Sequence, residues 1–358
     1  MILDICPSAG MVTIRQYDTE LKMVSLSSVR SSNSLISSTL PAGLVGLFVG
    51  GTSGIGEAAL KKFAQYTTRP RAYIVGRSQE AADRIVAECQ ALNPSGSYIF
   101  RKADVSLIRN VDEVCKEIKT KEKAINILFL SCGVPSMDRS KTSEDIHLLA
   151  ALNYYSRIRF IDNLLPLLRR ASVLRRVVTV GGGGYESELD VTDFPALRVP
   201  QDKLRGHLTA LVTLGLEAIA QRVPNVSFIH DYPGTVRTKL LDYLPEEMLR
   251  TLEFIPIDES GERQLYIATS ARFPPADRVD TVGVPLGEEI GVATGTSGVV
   301  GSGMYSISSD CENVSSTVLE LLGTMRRRGL VQEVRQHTED EFSRATLGKA
   351  PSSASKQS

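Results

Sequence analysis

A doubly wound α/β fold, with a mostly parallel sheet between two layers of helices, is what this sequence predicts. Three observations predict it. Short apolar runs alternate with amphipathic stretches at the spacing of strand–helix–strand units. The first apolar run ends in glycines that open a helix. The composition, 42 % hydrophobic and 23 % charged over 358 residues, is that of a globular chain able to bury a core.

The elements follow in order. GLVGLFVG (43–50) reads as a buried strand, Gly56–Tyr66 as a helix and RAYIVG (71–76) as the second strand. A helix over Glu80–Leu92 leads to SYIFRKADV, and one over Val111–Lys121 leads to INILFLSCG (125–133). A long helix around Asp145–Arg170 keeps Leu148, Leu149, Leu152, Ile158 and Ile161 on one face. The fifth strand is VVTVGGGG (177–184), and a helix over Leu204–Gln221 precedes the sixth, VSFIHDYPG. MYSIS supplies a further short strand, and a helix spans Ser315–Arg327. Right-handed crossovers then give a parallel sheet covered on both faces. Residues 41–330 read as one domain, with 239–300 expected over the substrate cleft. Residues 1–40, rich in Ser, read as a loosely packed extension with Met23 as a candidate natural start, and 331–358 as a partly disordered tail.

Charge and cysteine content exclude several functions. Lys+Arg and Asp+Glu are equal at 41 each, so no overall field attracts nucleic acid or an anionic membrane. Five scattered cysteines without a CxxC pair, and four histidines, give no metal-ligand spacing and fit free thiols in a reducing compartment. The start lacks a basic signal-peptide region, and the most apolar stretch is far short of the roughly 20 residues of a membrane span. The expectation is a cytoplasmic protein whose partner is a small-molecule substrate, with no metal, nucleic acid or membrane; a homo-oligomer stays open.

The glycine turn Gly50-x-x-x-Gly54-x-Gly56 directly follows a strand and opens a helix. One glycine permits the sharp turn, one lets backbone approach a pyrophosphate, and one lets helix and sheet pack closely. The helix N-terminus then stabilises the phosphates. Gly50, Ser53, Gly54, Ile55 and Gly56 are therefore cofactor-binding candidates in a Rossmann-type domain. At the end of the second strand stand Arg77 and Ser78, where an NAD site carries an acid for the ribose 2′-hydroxyl. Arginine instead suits a 2′-phosphate, which favours NADP(H).

These motifs together resemble the short-chain dehydrogenase/reductase family, from about Pro41 to Ser308. The glycine turn is similar to that family's TGxxxGxG, with Val49 in place of threonine. Asp104, beside Val105, matches the aspartate at the adenine ring. Ser131-Cys132-Gly133 falls where the family has Asn-Ala-Gly, keeping only Gly133. Asn153 matches the helix asparagine that helps hold a proton-relay water. Pro233, Gly234 and Thr238 match the PGxxxT segment that meets the nicotinamide carboxamide. FVGGTSGIGEA, VGGGGYESELD, SFIHDYPGTVRT and SGERQLYIATSARFPP resemble a fungal subgroup found with secondary-metabolite pathways.

The family's catalytic serine and Tyr-x-x-x-Lys are missing. The serine position falls in Gly181–Gly184, and no tyrosine occurs between Tyr185 and Tyr232. The helix segment VPQDKLRGHLTALV offers Lys203, Arg205, His207 and Thr209. Lys203 is a candidate for the ribose, or a solvated lysine of a first helical turn. His207 is a candidate proton donor, or a structural histidine. Tyr185 is a candidate displaced phenol, and Cys132 a thiol near the crevice without an adjacent base. The resemblance implies an NADP(H)-dependent oxidoreductase acting on a carbonyl or hydroxyl of a small metabolite. The alternative is a protein of the same fold that has lost the redox step: an isomerase, dehydratase, cyclase or non-catalytic partner.

Overall fold

The computed structural model describes residues 24–134, 138–242, 244–277 and 283–347. Helices α1 (Leu26–Ser34) and α2 (Ile36–Thr39) precede β1 (Val45–Val49), α3 (Gly54–Tyr66) and β2 (Arg71–Gly76). Then come α4 (Gln79–Leu92), β3 (Ser97–Lys102), α5 (Ile108–Lys121) and β4 (Ile127–Leu130). A short α6 (Leu148–Ala150) runs through a π-helical turn (Ala151–Tyr155) into α7 (Ser156–Leu168). After β5 (Arg176–Val180), α8 (Gln201–Ala220) and β6 (Ser227–Asp231) lie α9 (Glu246–Leu249) and α10 (Ile257–Thr269). The order closes with β7 (Met304–Ile307), α11 (Ser316–Arg327) and α12 (Leu330–Leu347).

The strands form one sheet in the order β3-β2-β1-β4-β5-β6-β7, every pairing parallel. The expected doubly wound fold is therefore what forms. Chain order reverses between β1 and β4, whose ends meet at the Val49↔Leu130 register. Ligands bind at such a switch point, outside the carboxyl ends of the strands.

The period of two along each strand divides the core. Leu47, Val49, Tyr73, Val75, Val177 and Phe228 face the layer built by α5, α7, α8, α11 and α12. Phe48, Ala72, Ile74, Val178 and Ile229 face α3, α4, α10 and α1. No helix among the described residues is long and apolar enough to cross a membrane.

The structure differs from expectation at three places. Residues 24–40 are not a loose arm. Ser25 caps α1, and Val29, Asn33 and Ile36 are buried at helical spacing. Asn33 Nδ2 donates to the Glu262 carbonyl at 2.9 Å and to its carboxylate at 2.6 Å, fastening α1 to α10. The expected tail is instead a long helix up to Leu347, burying Leu330, Val331, Val334 and Phe342. Tyr154 and Tyr155 hydroxyls meet Thr338 Oγ1 at 2.6 Å and His337 Nε2 at 2.7 Å on it. Finally, α10, within the segment expected to cover the cleft, packs on α3 and α1 across one sheet face. Leu241, Leu244 and Leu249 form a small apolar cluster of their own ahead of it. The start region before residue 24 and the segment 348–358 lie outside the described residues.

Candidate functional site

The glycine turn is shaped by close approach. Gly50 has φ +86°, and a Cβ there would stand 2.7 Å from the Cys132 amide nitrogen, so β1 and β4 meet only over bare backbone. A Cβ on Gly56 would collide with Ser131 Oγ and the Gly50 carbonyl, which brings the start of α3 onto the sheet. Gly54 has φ +57° and lies under Thr238, whose Cγ2 would be 3.1 Å from an added Cβ. Thr238, on the segment after β6, thus reaches back over the turn that follows β1. Ser53 occupies the N-cap of α3, exposed and without a side-chain cap hydrogen bond, and Ile55 is half-buried beside it.

The neighbouring edge completes this cradle. Thr52 packs where a Cβ on Gly76 would stand, which ties the end of β2 to the glycine turn. The next residue, Arg77, is exposed and forms no ion pair among the described residues. Ser78 caps α4, accepting from the Ala81 amide at 3.2 Å. After β3, Asp104 Oδ1 accepts from the Ser106 amide at 3.0 Å and its hydroxyl at 2.8 Å, and Val105 is buried. Gly133 lies beside Asn153, whose Oδ1 would be 3.8 Å from a Cβ there. Asn153 sits within the π-helical turn, a distortion common at functional sites, and donates to the Leu149 carbonyl at 3.0 Å. Gly234 (φ +78°), after Pro233, packs against Ile255 and Ser309.

The glycine run after β5 has its own physical reason. A Cβ would strike His230 at Gly181, Thr209 Oγ1 at Gly182, and the His230 and Ile307 carbonyls at Gly183. The turn is drawn in by a buried network. His230 Nε2 accepts from the Gly182 amide at 3.1 Å, and its Nδ1 donates to Thr213 Oγ1 at 2.9 Å. Thr213 donates to Glu186 Oε1 at 2.7 Å, and Ser306 Oγ donates to the same oxygen at 2.6 Å. Glu186 Oε2 accepts from the Gly184 amide at 2.8 Å. Burial pushes His230 down to about 3, so its ring is neutral.

The helix-borne candidates separate. Lys203 is exposed on the first turn of α8. His207 is buried. Its Nδ1 accepts from the Asp190 amide at 3.2 Å and its Nε2 donates to the Phe194 carbonyl at 3.1 Å. Both ring nitrogens are thus spent on the preceding loop, and burial lowers its pKa; the ring offers no proton to a cleft. Cys132 Sγ contacts the Leu152 carbonyl at 3.4 Å and Ser156 Oγ at 3.8 Å.

Two arginines matter here beyond the sequence expectations: Arg157, which they did not name, and Arg205, which they named without a role. Arg157 is buried, and its guanidinium donates to the carbonyls of Leu152 (3.1 Å), Val180 (2.5 Å) and Cys132 (2.5 Å). It bridges the ends of β4 and β5, and burial lowers its pKa. Arg205, on α8, lies over the Tyr185 ring with Cζ 3.5 Å from the centroid, and 5.2 Å from that of Tyr232. The two rings meet edge to face at 4.8 Å. Arg157 had no sequence signal beyond an apolar helical neighbourhood, and Arg205 only its place on the segment where the family's Tyr-x-x-x-Lys would lie.

A family model described as short chain dehydrogenase matches residues 45–183. The chain is 36 % identical over 340 residues to Oxidoreductase andH of Emericella variicolor, covering 92 % of this chain and 100 % of that protein. It is 39 % identical over 338 residues to Oxidoreductase AN1596 of Emericella nidulans, covering 90 % and 99 %. Among solved structures, the NADP active-site complex of Pseudomonas aeruginosa RhlG is similar in fold. Its TM-score is 0.51 at 19 % identity, over 70 % of this chain and 96 % of that one. With a matching domain model, relatives aligned nearly end to end and this sheet order, the chain belongs to the short-chain dehydrogenase/reductase family of oxidoreductases.

Proposed function

We propose that this protein is an NADP(H)-dependent oxidoreductase acting on a carbonyl or hydroxyl group of a small metabolite, in a secondary-metabolite pathway. One observation carries the reading. The Gly50–Gly56 cradle, which no Cβ could enter at Gly50 or Gly56, adjoins Arg77, exposed and without an ion pair among the described residues, at the same edge of the sheet. Open backbone at a helix N-terminus suits a pyrophosphate, and a free guanidinium suits a phosphate on the adjoining ribose.

In this reading the amides of Gly50–Gly56 and the Ser53 hydroxyl hold the pyrophosphate, with Ile55 against it. Arg77 and Ser78 hold the 2′-phosphate. Asp104 and Val105 border the adenine, Gly133 leaves room beside it along the cleft, and Pro233, Gly234 and Thr238 meet the carboxamide. When bound, the nicotinamide supplies the hydride chemistry. Asn153 holds a water that serves proton movement at the end of β4. Lys203 and His207 carry no step, the one because it is solvated and the other because its nitrogens are engaged.

The packed glycines at 181–183, which deny the family's serine hydroxyl a place, favour a second reading in which the redox step is lost. The two separate by assay. NADPH should raise the melting temperature by mass action, and should be consumed with at least one polyketide or terpenoid ketone of a fungal pathway. Tight NADPH binding without turnover of any such ketone moves the protein to the second reading; no NADPH binding overturns the first outright.

A further inference from the structure

Arg205 is 8 % exposed, yet its Nη2 finds no hydrogen-bond acceptor among the described residues. No carboxylate there reaches ion-pair distance of it either. A buried guanidinium without a counter-charge is costly, and a buried donor left over calls for a specific explanation. Its surroundings are built rather than accidental. With Cζ 3.5 Å from the Tyr185 centroid, the group is at van der Waals contact with the ring face. Its N–H donors lie in its own plane and so run past the ring. Tyr232, 5.2 Å from Cζ, closes the corner edge-on to Tyr185. Both tyrosines are half-buried, and they follow β5 and β6 at the carboxyl edge of the sheet. That edge is where open α/β sheets take ligands.

We propose that Arg205, fixed between Tyr185 and Tyr232, is the group that receives the substrate's oxygen, and that the substrate presents a planar oxyanion: an enolate, phenolate or carboxylate. The charge-assisted donor supplies the attraction, and the aromatic corner selects a flat group. Arg205 would then hold negative charge on oxygen near the cleft, a task the absent Tyr-x-x-x-Lys would otherwise perform. This substrate class rests on the reading of a metabolite-binding cleft, but not on cofactor binding itself.

The test is calorimetric titration of the full chain with benzoate and with its neutral analogue benzyl alcohol, alongside NADPH in the same preparation. Benzoate should bind at least about tenfold more tightly than benzyl alcohol. Arg205→Met, which keeps the apolar stem, should lose at least about tenfold in benzoate affinity while NADPH affinity stays unchanged. Arg205→Lys, with one compact charge and no planar fork, should fall between. No benzoate binding, equal binding of the two probes, or unchanged affinity in a folded Arg205→Met overturns the proposal. The last result would mean that Nη2 is satisfied by water alone. If Arg205→Met fails to fold, the Arg205→Lys and benzyl alcohol comparisons decide. Benzoate bound without NADPH defeats the cofactor reading and leaves this one standing; NADPH bound without benzoate does the reverse.

Discussion

Thr209 Oγ1, on α8, occupies the place that a Cβ on Gly182 would take. The absence of a serine after β5 is therefore a packing relationship as well as a chemical one. Restoring a hydroxyl by Gly182→Ser should overpack the turn and destabilise the fold by about 1–3 kcal/mol. A lower urea midpoint at unchanged slope would report it. Adding Thr209→Ala should recover more than half of the loss. Strictly additive losses would show that the two residues do not compete for one space.

Asp231, at the end of β6, should leave a mark on the pH dependence of stability. Burial pushes its carboxyl up to about 7, against the donation of Gln264 Nε2 at 2.6 Å. Its unfolded value is about 3.9. The folded state therefore keeps a proton that the unfolded chain gives up, so this contribution is complete below about pH 4 and is lost as the pH rises through about 7. Asp231→Asn removes the titration. Its melting temperature relative to wild type should climb between about pH 4 and pH 7 and level off above. A difference that stays flat over that range would contradict the shift.

The C-terminal helix should behave as core. Phe342 is 5 % exposed, meets Tyr155 edge to face at 6.5 Å and lies under Arg159 at 5.1 Å. Phe342→Ala should cost about 3–5 kcal/mol. Chemical denaturation measures it; a loss within about 0.5 kcal/mol, the range of surface substitutions, would mean that α12 is an appendage.

The sheet was legible because each strand is a short apolar run and each crossover has helical spacing, so Val45–Val49 and its successors announce themselves. Gly50, Gly54 and Gly56 were legible because backbone chemistry demands that residue type at that spacing. What escaped has a common cause: side chains whose role depends on partners distant in sequence. Asn33 reads as one more polar residue in a serine-rich segment until Glu262 is seen opposite it. Arg157 reads as a helix-surface charge, yet it joins Cys132 to Val180. His207 had the right intrinsic chemistry for proton transfer, and only its bonds to Asp190 and Phe194 remove it. Arg205 was visible as a residue of the segment, but its stacking on Tyr185 was not.

The most direct measurement is the affinity of the wild type and of Arg77→Ala for NADPH and NADH, by equilibrium titration. Arg77 is exposed beside the glycine turn and has no ion pair among the described residues, and a charge-assisted contact to a 2′-phosphate is a strong one. Wild type should prefer NADPH at least about tenfold, and Arg77→Ala should lose most of that preference while NADH affinity hardly moves. Equal affinities in the wild type, or binding of neither nucleotide, would contradict it.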